Sequence, residues 1–429
     1  TTLFRSCSKN PHLIYAQFNN QISGIVSQTY PFLNSLMNLI IEDNNQTRIE
    51  ARPALTPIWE QQAIDYLRSH SLKDALHDNS LDVAVLDAIF VLKERELVDI
   101  LQTQGVDQDK LVFFLMDFLN KYRFKMVDFE QLNEEFKAVF QVDWNMILPS
   151  WYMNNKIPTY LLKIAKILRV KTENSKDCRY RIEFAVFNDS DVDGVVNFRT
   201  STYLPGGWPE MQRAHKEKRR ESIIKYHAFK IEAGTGKRFA FEVNEFLDFM
   251  INTNIAGNLP NSFLCRATGI FASDTTQYME EVSRDYFLSD TNEFIVDNTD
   301  PGCKITQPST LLKLVKNEHL KSPKSWIRFI NFKEENAIFP TSQWKEYIDQ
   351  NCQGTTIRSF VFTRGKSGDY RLTWEADLPK EGVYEAFVYI PSYSLNMMQK
   401  YKISPLGGEE KVVYVDTRGE WCSLGVYNC

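Results

Sequence analysis

The apolar residues of this chain change period near residue 172, and that change decides most of what the chain can fold into. Before it, "DKLVFFLMDFLNKYRF" (109–124) places Leu111, Phe114, Leu115, Phe118, Leu119 and Tyr122 at helical spacing. Such spacing lays one apolar stripe along a helix, whose faces recur roughly every 3.6 residues. After it, "YRLTWEADL" (370–378) alternates strictly. Tyr370, Leu372, Trp374, Ala376 and Leu378 point one way, and Arg371, Thr373, Glu375 and Asp377 the other, as in a strand.

The helical reading covers residues 1–171, where Gly24 and Gly105 are the only glycines. Asp128 predicts an N-cap, with Gln131 placed for a capping box and Val127 and Leu132 for a hydrophobic staple. Leu132, Phe136, Val139 and Phe140 then face the core. Asp143 caps a short helix carrying Trp144, Ile147 and Leu148, halted near Pro149. "IPTYLLKIAKILRV" (157–170) closes the helical stretch.

From 172 to 288 the pattern is strand, turn, strand. "CRYRIEFAVFNDSDVDGVVNFRTSTYLPGGW" (178–208) has a turn-rich centre at 188–194, and "YHAFKIEAGTGKRFAFEV" (226–243) repeats the pattern. The charged run "QRAHKEKRRESIIK" (212–225) between them reads as a solvated loop or helix face. A third module, 289–429, contains "NEFIVDNTDPG" (292–302), the turn "GKSG" (365–368) and the strand "EEKVVYVDT" (409–417). The expected fold is multidomain α+β: an N-terminal all-α domain (1–171) followed by two β-sandwich-like modules (172–288 and 289–429). A length of 429 residues accommodates several such domains.

Charge and composition remove some partners. A net charge of −5 gives no basic face for nucleic acid. The longest apolar patch, "LVFFLMDFL", is broken by Asp117 and is too short to span a bilayer. The seven cysteines, Cys7, Cys178, Cys265, Cys303, Cys352, Cys422 and Cys429, form no C-x-x-C pair, so neither a zinc ribbon nor a disulfide scaffold is expected. Most should be free and buried, with one or two bridges if the protein is exported. The chain opens on Thr1, as a processed or truncated polypeptide would, and no signal peptide is legible.

Catalytic motifs are scarce. "GTGK" (234–237) and "GKS" (365–367) fail as phosphate loops, because the required earlier glycine is Ile231 or Phe360 and both lie between strands. Neither H-E-x-x-H nor G-x-S-x-G occurs. In "HSLKDALHD" (70–78), His70, Asp74, His77 and Asp78 would share one helix face. His70, Asp74 and His77 are the metal-ligand candidates there; the competing reading is a polar, solvent-facing stripe. No catalytic residue and no cofactor is assigned.

The stronger lead is aromatic. Trp326, Trp344, Trp374, Tyr389, Tyr393 and Trp421 cluster in the last module. In "LPKEGVYEAFVYIP" (378–391), Tyr384, Ala386, Val388 and Ile390 make a core face, and Val383, Glu385, Phe387 and Tyr389 the other. Sugars stack on aromatic rings while carboxylates fix their hydroxyls. That makes Phe387, Tyr389, Tyr393 and Glu385 the ligand-binding candidates. The competing reading packs these rings between sheets, and partial burial is the expectation. Trp374, on a uniformly apolar strand face, is assigned to the core.

Two resemblances sharpen these expectations. "FIVDN" (294–298), "GDYRLTWEADLPKEGVYEAFVYIP" (368–391), "YKISPLGGEEKVVYVD" (401–416) and "GEWCSLGVY" (419–427) resemble, in order and spacing, the golvesin/xanthan-lyase carbohydrate-binding-like domain of bacterial extracellular proteins. The resemblance implies a β-sandwich appended to a larger secreted or envelope protein. It also implies an extracytoplasmic location, in the periplasm or at the cell surface, with polysaccharide or envelope protein as partner. The family pattern continues into a further strand where this chain ends at Cys429, which would leave an exposed sheet edge. Residues 89–160 resemble the helical tail that follows the catalytic domain of gluzincin zinc aminopeptidases, whose zinc motif is absent here. The expected function is the non-catalytic C-terminal portion of a bacterial envelope or secreted protein, acting as scaffold and binding module. The alternative is an accessory part of a zinc-aminopeptidase-like enzyme whose metal centre lies upstream of Thr1.

Overall fold

A computed structural model describes residues 24–25, 27–34, 36–37, 40–41, 57–123, 125–171, 179–203, 222–244, 246–265, 267, 270–274, 276–287, 293–306, 345–348, 352, 359–362, 371–390, 399–405, 408–415 and 420–429. Chain contacts separate two compact units, residues 1–257 with 261–287, and residues 258–260 with 288–429. The layout is multidomain α+β, with helices first and antiparallel sheets after.

The first unit begins with helices α1 (Pro57–Leu67), α2 (Leu72–His77), α3 (Val83–Thr103), α4 (Gln108–Lys121), α5 (Phe129–Phe140) and α6 (Trp144–Met153). Ser71, Asp82, Asp107, Asp128 and Asp143 each accept a backbone N–H at a helix start. Such caps satisfy amides that have no partner inside the helix. The α4 stripe is buried through Leu111, Leu115, Phe118 and Leu119.

Four sequence expectations change here. Gln131 does not complete the capping box; its amide donates instead to Tyr122 Oη at 2.7 Å. Val139 is 61% exposed rather than in the core. Phe140 ends the α5 stripe by packing on Phe114 and Phe136, which leaves Val139 to solvent. Helix α6 does not stop at Pro149 but runs through it to Met153. Proline removes one bond, to the carbonyl of exposed Asn145, while burial of Leu148, Trp151 and Tyr152 holds the rest in place. Finally, 157–170 is not helical: Tyr160–Arg169 is a strand paired with Arg179–Asn188. A short Leu/Ile run suits either structure, and the antiparallel partner decides.

These and later segments build two four-stranded sheets. Strands β1 (Gly24–Ile25) and β2 (Met126–Val127) form a short parallel pair beside the helices. Then come β3 (Tyr160–Arg169), β4 (Arg179–Asn188), β5 (Gly194–Tyr203), β6 (Ser222–Ile231), β7 (Gly236–Asn244), β8 (Phe246–Asn252), β9 (Ser262–Cys265) and β10 (Tyr278–Glu281). One sheet has the order β10-β7-β4-β3 and the other β6-β5-β8-β9. Rings from both sheets meet between them. Phe184 on β4 lies 5.4 Å from Phe198 on β5 and 5.4 Å from Phe249 on β8, and Phe241 on β7 lies 5.2 Å from Phe198. Of the charged run, Ser222–Lys225 opens β6; the preceding 212–221 lies outside the described residues.

Helix α3 lies on β5 and β6. Its Asp99 is completely buried. Asn197 of β5 donates to Asp99 Oδ1 at 2.8 Å, and Asn254 donates to Oδ2. Asn254 has φ +52°, a left-handed backbone that asparagine tolerates better than most residues. Two further bonds join helices to the same loop region: Arg68 Nη2 to the Gly257 carbonyl at 2.7 Å, and the Asn261 N–H to Glu60 at 2.8 Å.

The second unit contains β11 (Cys303–Thr306), β12 (Lys345–Ile348), β13 (Ser359–Phe362), β14 (Arg371–Trp374), β15 (Val383–Ile390), β16 (Gln399–Ile403), β17 (Lys411–Val415) and β18 (Glu420–Asn428). They pair as four antiparallel ribbons, β11-β14, β12-β13, β15-β18 and β16-β17. Among the described residues no helix is long and apolar enough to cross a membrane. Cys303 and Cys429 are free thiols; Cys7 and Cys178 lie outside the described residues.

Asp99→Ala should lower stability by roughly 3 kcal/mol, because it strands two buried amide donors. Urea unfolding checks this, with exposed Asp117→Ala as the control that leaves the midpoint in place. Asp143 supplies a pH test. Hydrogen bonds from Lys137, Asn133 and the Asn145 N–H hold its carboxyl down at about 2. Its contribution to stability is therefore present above the ordinary aspartate range and is lost as pH falls towards about 2. Asp143→Ala should flatten the acid limb of stability against pH in that window.

Candidate functional site

The site residues come together on the β15–β18 ribbon. Its register runs from Val383 opposite Asn428 to Ile390 opposite Glu420. A bulge interrupts it, since Ala386 faces Gly425 while Phe387 faces Ser423, leaving Leu424 as the extra residue. Gly425 carries the left-handed angle, φ +119°.

The bulge sets what shares a face. Glu385, Phe387 and Tyr389 stand beside Val426, Ser423 and Trp421, their cross-strand partners. Phe387 and Trp421 are each 50% exposed. Tyr389 meets Trp421 edge-on, with ring centroids 5.5 Å apart. Ser423 Oγ donates to Glu385 Oε1 at 2.6 Å and accepts the Gly425 N–H at 3.3 Å. The glycine of the bulge thus orients a serine, and the serine orients a carboxylate amid exposed rings.

The other face is less open. Tyr384, Ala386 and Val388 are half-buried and Ile390 is buried. Tyr401 of β16 has its hydroxyl pushed up to about 12 by burial first and then by neighbouring Cys422 of β18. Phe294 meets the Tyr384 ring edge-on at 6.2 Å. Phe387 is therefore neither sealed between sheets nor fully free.

Trp374 departs from its core assignment and is 41% exposed. It stands opposite Cys303, beside the Ile305–Leu372 pair, on a two-stranded ribbon where Ile305 is also 46% exposed. A uniformly apolar strand face is buried only where another layer covers it. Tyr393, Trp326 and Trp344 lie outside the described residues.

The histidine motif does not assemble as a metal site. His70 precedes α2 instead of lying on it. It stacks on Tyr66 at 4.4 Å, with Nδ1 near the Tyr66 carbonyl at 3.2 Å. Asp74 closes a capping box, accepting from the Ser71 N–H at 2.8 Å and Ser71 Oγ at 2.7 Å. Those two bonds hold its carboxyl below the usual aspartate range. His77 donates from Nδ1 to the Lys73 carbonyl at 2.7 Å. The fourth residue, Asp78, accepts from Ser80 and Tyr66. Among the described residues, no three His, Cys, Asp or Glu side chains stand close enough to hold a metal ion.

Ser423 and Val426 were not singled out by the sequence, because cross-strand neighbours follow from register and the bulge shifts register by one residue. Trp421 stood out as an aromatic, but its pairing with Tyr389 is likewise a matter of register.

No protein-family model and no curated protein matches the chain. Among solved structures, a β-glucosidase from Listeria innocua in complex with glucose aligns at 14% identity and TM-score 0.17, covering 27% of this chain and 17% of that one. A β-glucosidase from Kluyveromyces marxianus in complex with glucose aligns at 11% identity and TM-score 0.16, covering 37% of this chain and 19% of that one. The chain therefore spans less than a fifth of either enzyme's length at these alignments.

Gly425→Ala should disturb this site first. The new Cβ would lie 3.2 Å from Tyr427 Oη and 3.4 Å from Lys411 Nζ, on a backbone angle that alanine disfavours. A loss of about 1–2 kcal/mol is expected in urea unfolding followed by near-UV circular dichroism.

Proposed function

We propose that this chain is a non-catalytic portion of an extracytoplasmic bacterial protein, and that its C-terminal β unit binds polysaccharide. One observation carries the reading: Trp421, Tyr389 and Phe387 share a partly open face with a carboxylate, Glu385, held at one end of it. Flat rings offer apolar stacking to the C–H faces of a sugar, while Glu385 accepts hydrogen bonds from its hydroxyls. Glu385 arrives pre-oriented by Ser423, so less ordering is required when a ligand binds. The resemblance of 294–427 to golvesin-type modules supports the same reading and favours an extracytoplasmic location. The helical first unit, firmly joined to its own sheets, serves as scaffold.

Glycan-array binding of the whole chain tests this. Binding to at least one bacterial envelope polysaccharide is expected. Trp421→Ala and Phe387→Ala should each weaken it about tenfold or more while leaving the unfolding midpoint nearly unchanged, since both rings are half in water. An array blank for the unmodified chain, or binding indifferent to both substitutions, would exclude this surface.

A further inference from the structure

The motif that fails as a metal site builds something else. Lys73 and His77 lie one helical turn apart on α2, so they share a face. Both line a cleft of about 430 Å³ in the first unit, walled by Tyr30, Tyr152, Pro149 and Met153. That volume lies within the range of small-molecule sites, and apolar walls with a few polar groups are their usual make-up.

Lys73 brings a formal positive charge to the lining of this cleft. No Asp or Glu is among its described lining residues. Asp74, the nearest acid in sequence, turns its carboxylate to the Ser71 cap; its charge still reaches Tyr152, as that of Glu130 reaches Tyr30. His77 uses Nδ1 on the Lys73 carbonyl, which leaves Nε2 as its outward nitrogen. Tyr30 and Tyr152 meet edge-on with centroids 5.9 Å apart. Burial, the larger cause for each, raises both phenols above their ordinary value, so they stay protonated and uncharged. Lys73 thus lines the cleft beside two aromatic rings, with no acid among the described lining residues.

We propose that this cleft binds a small organic anion with a flat apolar body, such as an aromatic carboxylate. The carboxylate would lie on Lys73 Nζ, and the ring against Tyr30, Tyr152 and Met153. Lysine supplies a compact charge-assisted contact and tyrosine an edge-on ring contact. The site is independent of the ribbon face in the other unit.

Ligand-observed NMR on the whole chain, using benzoate and benzamide as matched probes, tests this. Benzoate should bind at least about tenfold tighter than benzamide. Lys73→Met should remove most of that preference, and Tyr152→Leu should weaken both probes. Lys73 and His77 are exposed, so Lys73→Met and His77→Gln should leave folding intact. Equal binding of acid and amide, a preference that survives Lys73→Met with His77→Gln, or no benzoate binding at millimolar concentration would overturn the proposal.

Discussion

The buried carboxylate of Asp99 joins helix to sheet in the first unit. Asp99 sits with no exposure between α3 and the β6-β5-β8-β9 sheet, and amides of Asn197 and Asn254 supply its partners. Burying a charge is costly unless its hydrogen bonds are made with good geometry. Once made, those bonds are directional, and an apolar contact is not. The outer side of β5 is correspondingly polar: Asn197, Arg199 and Ser201 are all buried there. Arg199 and Ser201 both bond Asp248 of β8, at 2.9 and 2.8 Å. Helix α3 also buries Lys93, Glu94 and Arg95, and Lys93 stands over the Trp151 ring of α6. The directional bonds from Asn197 and Asn254 to Asp99 allow fewer seatings of helix on sheet than an apolar joint would. Helices and first sandwich therefore form one compact unit.

In the second unit a local backbone constraint takes the leading part. The β15–β18 ribbon would present a regular alternation without the bulge at Leu424–Gly425. With it, Ser423 lands opposite Phe387 and within 2.6 Å of Glu385. A positive φ at Gly425 is what permits that geometry. The aromatic face and the acceptor at its end thus depend on one residue without a side chain. The proposed polysaccharide surface depends on it in turn.

How much of this was legible depended on whether a feature is local. The α4 stripe and the Asp128 cap were readable because helical contacts join residues three or four apart. The strand faces at 383–390 were readable because alternation is intrinsic to a strand. What failed needed a partner. Tyr160–Arg169 is a strand because Arg179–Asn188 pairs with it, and its Leu/Ile run is silent on that. Trp374 is exposed because its ribbon has two strands, which an apolar strand face does not reveal. Asp99 drew no notice as one carboxylate in an amphipathic helix, and its partners lie about a hundred residues or more away in sequence. The histidine motif shows the same limit: its spacing suits metal ligands and a polar stripe alike, and Ser71 begins the helix after His70 and takes Asp74 into its cap.

The most direct measurement is hydroxyl-radical footprinting of the whole chain with and without bacterial envelope polysaccharide. If the ribbon face is the binding surface, Phe387, Tyr389 and Trp421 lose reactivity together, while exposed Phe113 and Met146 in the first unit do not. Unchanged reactivity at Phe387, Tyr389 and Trp421 under saturating polysaccharide, or protection confined to the helical unit, would contradict it.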